Sequence, residues 1–171
     1  MSDLVLNTVS TATGKGRSGH LLLVDDEPDN LDLLEGMLAR SNYKTSRAEN
    51  GRIALDILRA HPEKFDAVLL DRMMPEMDGI TVLQHMKADD LLMRLPVILQ
   101  TAAGNTMQVS EGLAAGAHYY LVKPFDRGQL LPIVNGAVAN YQMMRDMRSR
   151  LLESNPFGLI ISGKFRFRTR K

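Results

Sequence analysis

Five polar residues stand out because each closes a short apolar run. LLLV ends in Asp25 and Asp26, AVLL in Asp71, PVILQ in Thr101, and YYLV in Lys123. If these ends meet, three carboxylates, a hydroxyl and an amine share one site. Crowded carboxylates resist ionisation unless a cation lies among them, and a hard divalent ion with oxygen ligands answers that need. Magnesium is the natural candidate: held by a few carboxylates at about 2.0–2.1 Å, it keeps positions open for water or a phosphoryl oxygen. An ammonium, a hydroxyl and a metal around one acid are the parts that electrostatic stabilisation of phosphoryl transfer uses.

For the five to converge, the apolar runs must be strands with their carboxyl ends on one edge, where ligand sites of open parallel sheets form. The rest of the chain fits that arrangement. A buried strand starts at Leu21. Pro28 then suits a first helical turn, with Leu31, Leu34 and Leu38 at helical spacing. Tyr43 to Ala48 reads as a second, weaker strand, and Ile53, Leu55, Ile57 and Leu58 as a helix stopping near His61-Pro62. Ala67 to Leu70 is the third strand, and Ile80, Leu83, His85 and Met86 mark a third helix. Pro96 to Gln100 is the fourth strand, residues 106 to 115 a helix, Tyr119 to Val122 the fifth strand, and the last helix opens at Phe125. Strands alternating with helices imply a parallel sheet covered on both faces, an α/β fold.

The segments LLLVDDEP, LLDRMMPEMDG, LQTAAG and YYLVKPF, in this order and each at an expected strand end, resemble a response-regulator receiver domain over residues 20–140. The resemblance implies a flavodoxin-like doubly wound sheet with strand order 2-1-3-4-5. It implies Asp71 as the acceptor of a phosphoryl group from a sensor histidine kinase or phosphotransfer protein. Mg²⁺ would be bound by Asp25, Asp26, Asp71 and the backbone carbonyl of Met73. Lys123 would pair with the acid and later the phosphate, Thr101 would bond a phosphoryl oxygen, and Tyr120 would turn inward with it as the switch aromatic. Lys123-Pro124 falls where the family has a cis peptide. Such a domain is a signalling module rather than an enzyme, though it promotes its own aspartyl phosphorylation and dephosphorylation. Two departures stand beside the match: Arg72 follows the acceptor where an aliphatic residue is usual, and His118-Tyr119 replaces a commonly acidic pair.

Plainer readings compete with these. Asp25-Asp26-Glu27 alone reads equally well as a solvated helix start, since acids favour the first turn; Asp71 and Lys123 tip the balance. Tyr120 could serve core packing only. His20, His61, His85 and His118 have no ligand spacing or nucleophile nearby and read as structural, and the 11 methionines as core filling. A receiver-like module that signals without phosphate is the alternative function, which a complete acidic site disfavours. A DNA-binding regulator is disfavoured too, because the 31 residues after Asn140 leave no room for a helix-turn-helix unit.

The 44% hydrophobic and 24% charged content is that of a folded, water-soluble domain. The absence of cysteine excludes disulfides and thiolate chemistry. No apolar run of about 18 residues exists to span a bilayer, and the start lacks the pattern of a signal peptide, so a cytoplasmic location is expected. Residues 1–19, rich in Ser, Thr and Gly, read as a flexible leader.

The net charge of +1 conceals an asymmetry: residues 1–140 hold 13 basic and 18 acidic side chains, residues 141–171 hold 8 and 2. Such a tail is more often solvated than bound to nucleic acid. Leu130, Ile133, Ala137, Asn140, Met144, Met147 and Leu151 step by three and four, a heptad seam. The last helix is therefore expected to continue through residues 141–155 and to favour a homodimer, against the simpler reading of one longer helix packed on its own domain. Residues 156–171 read as a linker or the opening strands of an output domain.

Overall fold

The computed structural model describes residues 18–102 and 106–154. Five strands and five helices alternate: β1 (Gly19–Val24), α1 (Pro28–Leu38), β2 (Tyr43–Ala48), α2 (Gly51–Ala60), β3 (Ala67–Asp71), α3 (Gly79–Lys87), β4 (Val97–Ala102), α4 (Thr106–Ala115), β5 (Tyr119–Lys123) and α5 (Arg127–Ser154). All strand pairs are parallel, in the order β2-β1-β3-β4-β5. The expected fold and strand order are both present.

Strand residues alternate between two cores, as the two-residue side-chain period requires. Leu22, Val24, Val68, Leu70, Val97 and Leu99 pack with α2 and α3. Leu21, Leu23, Ala67, Leu69, Ile98 and Leu121 pack with α1 and α5. Covering both faces is what makes these strands read as continuous apolar runs.

Element boundaries follow local chemistry. Asn50 and Asp78 cap α2 and α3 by accepting from the backbone N–H groups of Ile53 and Thr81. β1 begins two residues before Leu21 because Gly19 and His20 pair with Tyr43 and Lys44. α5 begins at Arg127 rather than Phe125. Asp126 accepts from Gln129 N at 2.9 Å while the Gln129 side chain accepts from Asp126 N at 3.0 Å, a reciprocal cap that fixes the start.

α5 is one continuous helix of 28 residues, about 42 Å at 1.5 Å per residue. Its first half belongs to the domain: Leu130, Val134, Ala137 and Val138 are buried in the core. Gln142 donates to Ser18 O and Asp66 Oδ1, and Arg145 pairs with Asp66 at 3.4 Å. The expected seam is therefore not one surface. Leu130 and Ala137 are used inside the domain, Ile133 packs against the same core, and the Asn140 amide donates to the Tyr119 hydroxyl at 3.0 Å. Only Met144, Met147 and Leu151 stand free, at 65, 56 and 69% exposure. Heptad spacing failed to separate them because a helix leaving its own domain keeps the same apolar period against either neighbour. Residues 1–17 and 155–171, which carry the expected leader and output opening, lie outside the described residues.

Candidate functional site

Asp25, Asp71 and Lys123 come together at the carboxyl edge of the sheet, from β1, β3 and β5. Strand alternation puts Asp71 and Lys123 on the α1/α5 side, two residues beyond Leu69 and Leu121. The Lys123 ammonium lies 2.6 Å from Asp71 Oδ1 and 3.0 Å from Asp25 Oδ2. The second Asp71 oxygen accepts from Met73 N at 2.7 Å. Asp25 is also held by Glu27 N at 3.0 Å and by the Asn30 side chain at 3.1 Å. Asp25 is 1% exposed and Asp71 7%, so two carboxylates are desolvated around one ammonium. The Lys123-Pro124 peptide is cis.

The electrostatics reflect that imbalance. Burial raises the Asp71 carboxyl above the ordinary carboxylate range, the Lys123 hydrogen bond and charge pull it back only in part, and Asp25 adds to the rise. Burial pulls Lys123 down, but hydrogen bonds and charge from Asp71 and Asp25 outweigh it and hold the amine above its usual value. The carboxylates of Asp25 and Asp71 offer hard oxygens whose charge a single ammonium only half meets, which suits a divalent cation. Among the described residues no three acidic or imidazole side chains form a metal-binding cluster. Asp26 is half-buried, and none of the hydrogen bonds or ion pairs described joins it to Asp25 or Asp71.

Thr101 and Tyr120 lie on the opposite side of the sheet. Thr101 continues the alternation of Val97 and Leu99 and is 2% exposed; Tyr120 packs against the α2/α3 core. The Tyr120 hydroxyl oxygen is buried with no hydrogen-bond partner among the described residues. Burial raises its pKa and the charge of Arg72 opposes the rise. Of the five strand-end residues, the structure joins Asp25, Asp71 and Lys123 by hydrogen bonds, leaves Asp26 outside those bonds, and puts Thr101 on the other face with Tyr120.

Three contributors escaped the sequence reading. Asn30, in the first turn of α1, braces Asp25. Gln100 of β4, the register partner of Asp71 on β3, is 1% exposed, and its Nε2 has no partner among the described residues. A polar residue inside PVILQT was the signal for it. Glu111 of α4 binds Arg72 at 2.5 Å, which accounts for an arginine beside the acid that sequence alone left unexplained.

No helix among the described residues is long and apolar enough to cross a membrane. Comparison with known proteins agrees with this geometry. Residues 21–135 match the response regulator receiver domain family. The chain is 44% identical over 104 residues to the two-component response regulator ORR26 of Oryza sativa subsp. japonica, covering 61% of this chain and 17% of that protein. It is 40% identical over 129 residues to the regulatory protein AtoC of Escherichia coli, covering 75% of this chain and 27% of that protein. A putative response regulator from Chloroflexus aurantiacus superposes with a TM-score of 0.68 at 32% identity, covering 72% of this chain and 99% of that one. The chain thus spans well under a third of those two curated relatives. With the sheet order, the acid–amine cluster and the family match in agreement, the chain belongs to the response regulator receiver domains of two-component systems.

Proposed function

We propose that this receiver accepts a phosphoryl group on Asp71 from a histidine kinase or phosphotransfer protein and relays that event through Thr101 and Tyr120. The observation that carries it is the two-point hold on the Asp71 carboxylate, one oxygen on Lys123 Nζ and the other on Met73 N. A nucleophile fixed in this way meets its phosphorus with little reorientation. The P–N bond of a phosphohistidine breaks, a P–O bond to Asp71 forms, and the departing imidazole keeps the electron pair and takes up a proton. Mg²⁺ would be held by Asp25, Asp26, Asp71 and the Met73 carbonyl, and would supply the charge neutralisation that two buried carboxylates lack. Lys123 stays on the phosphoryl oxygens, and Thr101 bonds another from across the sheet. A cleft of about 200 Å³ beside Lys123, lined by Leu33, Leu34, Pro124 and Phe125, gives the donor an apolar surface next to the acid. A phosphate-independent interaction module has no use for a buried carboxylate pair whose charge is half met.

On this reading the receiver occupies residues 20–140, the chain works in the cytoplasm, and the exposed end of α5 meets a second copy. Acetyl phosphate with Mg²⁺ should add one phosphoryl mass to the chain, and Asp71→Asn should abolish it. Equal phosphorylation of both, measured by intact mass, overturns the assignment.

A further inference from the structure

Arg72 follows the acid but, by strand alternation, its side chain leaves on the opposite side of the sheet, with Leu70. That side carries Thr101, Tyr120 and α4. The Arg72 side chain is 10% exposed and reaches Glu111, which is 57% exposed and on the second half of α4. The next residue of α4, Gly112, is the seat of Tyr120: a Cβ there would overlap the Tyr120 hydroxyl oxygen and come within 2.9 Å of Leu99 Cδ2. The ion pair and the tyrosine seat are thus consecutive residues of one helix. A buried guanidinium also gives up much of its hydration, so releasing its carboxylate is costly to the arrangement that holds it.

We propose that Arg72 is a positioning residue: through Glu111 it latches α4 in the arrangement where Asp71 is a free carboxylate bonded to Lys123, and so sets how readily the Tyr120 seat gives way. This rests on the phosphoryl-switch reading above and adds a regulatory element to it. Two arrangements of α4 compete. An ion pair present in only one of them biases the balance by its own free energy, and that bias appears in the affinity for any ligand preferring the other. Arg72 connects the two faces through the backbone, since Arg72 N donates to Gln100 O at 3.0 Å while the preceding residue carries the acid.

The test uses the full chain with Glu111→Gln, a change at an exposed site that keeps the fold, beside wild type and Arg72→Lys. Beryllofluoride with Mg²⁺ serves as the phosphoryl mimic, and two readouts are taken: its dissociation constant, and, without it, amide exchange of α4 with the ring signals of Tyr120. Glu111→Gln should bind the mimic about one-and-a-half- to fivefold more tightly, the range an ion pair of this exposure spans. It should also show faster exchange in α4 and a shifted Tyr120 ring, and Arg72→Lys should lie between it and wild type. Where wild type binds the mimic, unchanged or weaker binding by Glu111→Gln overturns the latch, and unchanged α4 exchange overturns it in every case. If wild type itself takes up no mimic while α4 exchange still responds to Glu111→Gln, the latch stands and the phosphoryl reading falls.

Discussion

At the scale of the residue, Asp71 is held at a cost to the fold. Its carboxyl is raised above the ordinary range chiefly by burial, so the native state holds a proton more tightly than the unfolded chain does. The resulting stabilisation is full below the ordinary carboxylate range and is lost as pH rises through the raised pKa, so at neutral pH the ionised acid opposes folding. Asp71→Asn removes the charge and keeps the shape, while Asp25 still holds Lys123. We expect it to stabilise the fold by ~1 kcal/mol, about 3 °C in Tm. The gap to wild type should narrow as pH falls from 7 towards 4, in thermal melts across that range. A variant less stable than wild type at pH 7 would show that the pair with Lys123 outweighs the desolvation. Asp25, Asp71 and Lys123 were legible in the sequence because each ends an apolar strand. Asn30 was not, since a polar residue in a first helical turn reads as solvated until the turn that folds it back onto Asp25 is seen; nor was Glu111, whose partner Arg72 is 39 residues away in the chain.

The elements that frame the acid have their own tolerances. Gly79 opens α3 and donates to Arg72 O at 2.9 Å, so the chain doubles back onto the strand end carrying Asp71. A Cβ at Gly79 would overlap the Asp71 carbonyl oxygen and lie 3.0 Å from Arg72 Cα. These are main-chain atoms that cannot swing aside. Gly79→Ala should therefore destabilise by roughly 2–4 kcal/mol, against a gain of up to about 1 kcal/mol in helix propensity. Gly36→Ala in α1, where a Cβ meets nothing within 4 Å, should be neutral or stabilising by about 0.5–1 kcal/mol. Urea titrations of the two variants check the contrast, and equal effects would refute the close-approach argument. Strand and helix order was readable because strands covered on both faces give unbroken apolar runs between helical periods. The starts of β1 and α5 were misplaced by two residues because pairing with β2 and the Asp126–Gln129 cap depend on partners that periodicity does not see.

At the scale of the whole molecule, the far end of α5 presents exposed apolar side chains. Met144 lies beside the tether of Arg145 to Asp66 and Met147 and Leu151 lie beyond it, and burying each is worth about 1.5–3 kcal/mol at best, before the cost of association. On the proposed reading, weak self-association is the expected behaviour. Sedimentation should show a concentration-dependent dimer for the full chain and a monomer for Met147→Asp/Leu151→Asp. A wild type monomeric at all concentrations, with and without beryllofluoride, would remove the dimer. The sequence pattern was sound about the helix continuing and misled about the seam, because Leu130 and Ala137 satisfy the same period against their own domain. One further consequence lies in the alternation of the strands. The acid and amine face α1 and α5, while Thr101 and Tyr120 face the other way. A single-residue insertion or deletion within β3 or β5 would exchange the two faces beyond it, so these strands can absorb replacements but not changes of length.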